Sequence, residues 1–89
     1  MSRFETGDTL THASAKAALA AGLARIAAGA TGVDCVALKQ FDSSALAVLV
    51  AWQRASHAHG QTLDVVNLPP ALASLARAYG VDPLLNERH

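Results

Sequence analysis

The chain has 89 residues, seven basic and seven acidic side chains, and a hydrophobic fraction of 52%, while only 4% of its residues are aromatic, so alanine carries much of the apolar content. A chain this short builds one modest core, and balanced charge without a basic run argues against nucleic acid or an anionic membrane surface as a partner. A lone cysteine, Cys35, excludes an internal disulfide, and the longest unbroken apolar run, Ala45 to Trp52, is far short of the roughly 20 residues that span a bilayer, so direct membrane insertion is not expected.

Met1-Ser2-Arg3-Phe4-Glu5 has no apolar signal region. Thr9 to His12 alternates after Gly7, which predicts a short strand paired with Phe4–Thr6. Ser14 is placed to cap a helix over Ala15 to Ala28, with Leu19, Leu23 and Ile26 on one face and Gly29 and Gly32 ending it. Val33 to Val36 reads as a β-branched strand, with Asp34 placed to tether the loop that follows, 37–41. A second helix runs from Ser43 to His59 and stops at Gly60. Thr62 to Asn67 is a strand, with Leu63, Val65 and Val66 apolar. Pro69-Pro70 opens a third helix, with Leu72, Leu75, Ala76 and Tyr79 as its buried stripe and Gly80 as its stop. Val81 to Leu85 forms a short terminal hydrophobic piece.

The alternation of strands and helices predicts an α/β layer fold over residues 1–89 as a single domain, with a small mixed sheet. The strands at 33–36 and 62–67 are expected to pair in parallel through a right-handed crossover.

Asp42-Ser43-Ser44 stands where a strand-like segment gives way to the second helix. Carboxylate and hydroxyl oxygens there accept from the unpaired N–H groups of the first turn. The same position also tolerates a phosphate on serine, and local chemistry does not choose between the two uses. A nucleophilic serine needs a base, and His57 and His59 lie at the far end of the same helix, about 21–24 Å away at 1.5 Å per residue. The flanks also lack the glycines of a nucleophile elbow. His57 and His59 point to opposite faces and His12 and His89 are isolated, so no metal ligand set is expected. Cys35 reads as a small buried hydrophobe.

Along the second helix, Leu46, Leu49 and Trp52 are placed to face the sheet. Ala47, Ala51 and Arg54 lie opposite, with Val50 at the margin and Ser43 at the head. Such a stripe reads either as alanine chosen for helix propensity or as a docking face where small side chains let another surface approach.

From about Gly32 to Leu85 these segments resemble a STAS domain. The resemblance rests on Asp34 at a strand end, Phe41-Asp42-Ser43-Ser44-Ala45-Leu46, His59-Gly60, the strand Leu63–Asn67 and Leu72-Ala73-Ser74-Leu75-Ala76-Arg77-Ala78-Tyr79-Gly80-Val81. The run Leu75 to Val81 followed by Leu84-Leu85 is similar to the MlaB subfamily. The N-terminal third departs from the wider family, with His12–Ala15 near the place of a Gly-Glu-Leu-Asp type segment, and Ala45 stands where glycine is frequent. The resemblance implies a cytoplasmic, non-enzymatic subunit without cofactor or metal. It would dock on the MlaF-like ATPase of a phospholipid-transporting ABC complex that maintains outer-membrane lipid asymmetry, peripheral to the inner membrane through that partner. On this reading Asp42 and Ser44 order the helix start, and Ser43, Ala47, Val50, Ala51 and Arg54 form the partner contact. The alternative it implies is an anti-sigma factor antagonist, with Ser43 as the phosphorylation site.

Overall fold

Three short strands, β1 (Arg3–Glu5), β3 (Gly32–Asp34) and β5 (Asp64–Val66), form a parallel sheet in the order β1-β3-β5 in the computed structural model, which describes residues 3–85. Two-residue strands β2 (Thr9–Leu10) and β4 (Gln40–Phe41) pair separately, also in parallel. The helices are α1 (Ala15–Ala27), α2 (Ser43–Ala58), α3 (Pro70–Ala78) and the single turn α4 (Asp82–Leu85). The α/β class is as expected, and so is the parallel pairing of the strand after α1 with the strand after α2. The small sheet, expected as mixed, has parallel pairing in each described ladder.

The register explains the layers. Phe4, Val33 and Val65 pair across the three strands and therefore share a face. All three are buried. The other row carries Arg3, Glu5, Asp34 and Asp64, charged and exposed or half-exposed. One face thus takes the helices and the other does not. Helices α1 and α2 pack side by side, and α3 and α4 pack against α2. Successive crossovers of one hand toward the same sheet edge put α1 and α2 on one face.

Trp52 on α2 ties the layers together. Its ring meets Phe4 edge-on at 5.1 Å between centroids, and its indole N–H donates to the Leu19 carbonyl of α1 at 3.2 Å. Gln53 is fully buried and uses both ends of its amide on one residue. Its Nε2 donates to the Leu63 carbonyl at 2.8 Å, and its Oε1 accepts from the Leu63 N–H at 2.6 Å. A buried amide is tolerated because every polar end is satisfied, and the pair sets the approach of β5 to α2.

Several sequence expectations are corrected. Residues 9–12 do not pair with Phe4–Thr6. The chain turns at Gly7, Thr9–Leu10 joins Gln40–Phe41, and Phe4 pairs with Val33. Ser14 occupies the N-cap position of α1 but gives α1 no side-chain cap. Its hydroxyl instead bonds Thr11 in the preceding turn, accepting from its N–H and donating to its carbonyl. Leu23 is 37% exposed, because α1 turns Gly22 and Ile26 inward. Val36 lies outside β3 and is exposed. The Asp34 carboxylate accepts from the Val36 N–H and the Asn67 side-chain amide, so its tether reaches residue 36 and the far end of β5. Those two bonds, the Asn67 amide foremost, hold the Asp34 carboxyl below the usual carboxylate range.

Candidate functional site

Helix α2 begins at a well-made cap. Asp42 has an extended backbone and ends the strand-like approach. One of its carboxylate oxygens accepts from the Ser44 N–H at 2.8 Å. The other accepts from the His12 N–H at 3.0 Å, across the turn that precedes α1. These bonds, His12 first and Ser44 second, hold the Asp42 carboxyl below its ordinary range. Ser44 is therefore the recipient of the cap and not a second cap. Its position inside the first turn puts its N–H, not its hydroxyl, where a donor needs a partner. Ser43, the first helical residue, is exposed beside the cap.

The parallel β2–β4 pairing brings His12 to this cluster, although it stands alone in the sequence. It arrives through its main chain, and its imidazole makes no hydrogen bond to Ser43. Cys35 is buried, and burial above all, with the Asp34 charge second, pushes its thiol up to about 12, far from a reactive thiolate. Among the described residues no three His, Cys, Asp or Glu side chains converge as a metal would require.

Helix α2 turns seven of its sixteen residues inward, Ala45, Leu46, Val48, Leu49, Trp52, Gln53 and Ser56, which at about 3.6 residues per turn lie on one side of the helix. A strip along the opposite side is left to solvent. Ser43, Ala47 and Arg54 on that strip are exposed, and Val50 and Ala51 are half-buried. Arg54 forms no ion pair with a described residue.

One wall of this strip is a corner that the sequence reading did not assign to it. Tyr79 was expected in the buried stripe of α3, but it is 60% exposed. It is the C-cap of α3, followed by Gly80 at φ +73. The Gly80 N–H donates to the Arg77 carbonyl and the Val81 N–H to the Ala76 carbonyl at 2.9 Å. This closing motif needs a left-handed residue, which glycine adopts without a Cβ penalty. Tyr79 keeps its helical bond to the Leu75 carbonyl, but it stands at the open end of α3, and the turn after it brings Val81 back toward α2. Helices α1 and α2 close in the same way at Gly29 and Gly60. The readable signal was a tyrosine immediately before such a glycine, a position at the open end of a helix.

The result is an open groove of about 650 Å³. Ser43, Ala47, Val50, Ala51 and Arg54 line it together with Leu46, Tyr79 and Val81. A smaller depression of about 290 Å³ lies on the other side of α2, between Ala15, Lys16 and Leu19 of α1 and Ser44, Ala47 and Val48 of α2. Ala47 is the shared rim. Both depressions are shallow, largely apolar and open, which suits a protein surface better than an enclosed small molecule.

The sequence profile of the family described as "Mlab, STAS domain" matches residues 6–86, most of the chain. The chain belongs to the MlaB-type STAS domain family. The match covers the N-terminal third of this STAS domain, beyond the stretch from about Gly32 on which the resemblance was read. No curated protein matches the chain. Among the described residues of the STAS domain, no helix is long and apolar enough to cross a membrane.

Proposed function

We propose that this STAS domain is a non-enzymatic subunit that binds the ATPase of a phospholipid-transporting ABC complex and supports its assembly or activity. The α2 groove is the contact. The subunit would act at the cytoplasmic side of the inner membrane, reached through its partner. The observation that carries the reading is convergence. Five residues picked out by sequence, Ser43, Ala47, Val50, Ala51 and Arg54, line one groove with exposed Tyr79. An exposed aromatic beside a largely apolar groove suits a protein contact, and Tyr and Arg are among the residue types enriched at interface hot spots. Among the described residues no base is bonded to Ser43, and burial keeps the Cys35 thiol protonated.

The exposure of Ser43 at the first helical position favours one alternative, an anti-sigma factor antagonist switched by phosphorylation of that hydroxyl. The two readings part in one experiment. Ala51→Arg places a long cation on a rim where the partner must approach closely. In the ATPase reading, the variant keeps its circular dichroism and melting temperature but no longer co-purifies with the ATPase subunit. Undiminished co-purification removes the groove as the contact. Capture of an anti-sigma kinase, with phosphate transfer to Ser43 and no ATPase bound, replaces the first reading with the second.

A further inference from the structure

Two depressions flank α2, and the cations in them say what should fill both. The larger holds Arg54, the smaller Lys16. No carboxylate of a described residue lines either depression, and neither cation forms an ion pair with a described residue. Lys16 also stands against its own helix. It is the second residue of α1, whose first turn carries no acid, and a helix N-terminus disfavours a cation. The first turn of α2 likewise carries no acid. The N-terminal ends of the two helices adjoin at this depression, where Ala15 and Lys16 meet Ser44. The nearby Asp42 carboxylate is turned onto the main chain at His12 and Ser44. Each depression therefore sets a cation, unmatched by a lining carboxylate of the described residues, beside apolar side chains, although the chain as a whole is neutral.

A second copy of the chain is a poor occupant. A two-fold contact across α2 would set Lys16 and Arg54 against the same cations or against apolar residues, with no lining acid to meet them. A partner that carries carboxylates beside apolar side chains satisfies both depressions. We infer that the ATPase subunit of the proposed function straddles α2, with apolar side chains in both depressions and carboxylates against Lys16 and Arg54. This rests on the ATPase reading and extends the contact onto α1, which that reading leaves out. Ala47, the shared rim, lies beneath the saddle.

Titration of the purified domain against the purified ATPase subunit tests it. Lys16→Glu is the decisive variant, because an acid at that position suits the helix start and leaves the fold intact or firmer. It should weaken binding at least about tenfold, because it sets like charges against each other at the interface. Arg54→Glu should do likewise, and the wild-type affinity should fall as salt rises from about 0.05 M to about 0.5 M. If Lys16→Glu binds like wild type while Ala51→Arg does not bind, the straddle is overturned and the single-groove contact stands. If neither variant differs from wild type, both fall. Self-association of the wild-type domain that is lost on Ala47→Arg, without ATPase binding, would overturn the assignment of the occupant.

Discussion

Gly22 shows how a single residue sets the whole helical layer. A β-carbon at this position would sit inside the buried indole of Trp52. The close approach lets the indole N–H reach the Leu19 carbonyl one turn earlier, while the ring meets Phe4 below. In isolation, glycine inside a helix is a defect of about 1 kcal/mol relative to alanine. Here overpacking dominates, because a fixed buried ring cannot move aside, and such changes cost about 1–3 kcal/mol. Gly22→Ala is therefore expected to lower the melting temperature, by roughly 4–8 °C per kcal/mol of net loss in a domain of this size. Thermal unfolding followed by circular dichroism checks the sign. A rise in melting temperature would show that the helix gains more from alanine than the packing loses.

Between elements, Asp42 is the joint that matters for the candidate site. Its carboxylate holds the start of α2 and the turn before α1 at once, and so positions Ser43 in the groove and Ser44 in the smaller depression. Its folded pKa is lowered, so its contribution to stability is present above the ordinary carboxylate value of 3.8 and is lost as pH falls through the lowered folded value. Asp42→Asn should be less stable than wild type at neutral pH. The gap should close as acidification passes below that range, in denaturant unfolding repeated across pH. A gap that stays constant down to the acid limit would mean that the charged cap contributes nothing. Elements of this kind were only partly legible in the sequence. Helix α2, its cap and its exposed strip follow from apolar period and from Asp before Ser-Ser, both of which are local. The pairing of Thr9–Leu10 with Gln40–Phe41 is not local. Two-residue strands carry no period, and proximity in sequence favoured Phe4–Thr6 as the partner. The misplacement of His12 as an isolated residue follows from the same gap. Leu23 and Tyr79 were both assigned to buried stripes by spacing alone. Gly22 redirected the first helix, and the end of α3 at Gly80 left the second residue, still in helical register, at an open end. Neither effect leaves a mark in hydrophobic period.

In the molecule as a whole, the two layers divide the surface by chemistry. The sheet presents its charged row, Arg3, Glu5, Asp34 and Asp64, away from the helices. The helical side presents Tyr79, the alanine strip and the two depressions. The family match places this arrangement among MlaB-type STAS domains, and the proposed ATPase contact uses the helical side alone. Contact chemistry of this kind stays partly hidden in sequence, since Lys16 and Arg54, from different helices, flank one ridge only in the folded chain. Site-specific photo-crosslinking within the assembled complex tests the account most directly, with the reactive side chain placed in turn at Ala51 in the groove and at Glu5 on the sheet. The account predicts a crosslink to the ATPase subunit from position 51 and none from position 5. A crosslink to the ATPase from position 5 with none from position 51 would contradict it.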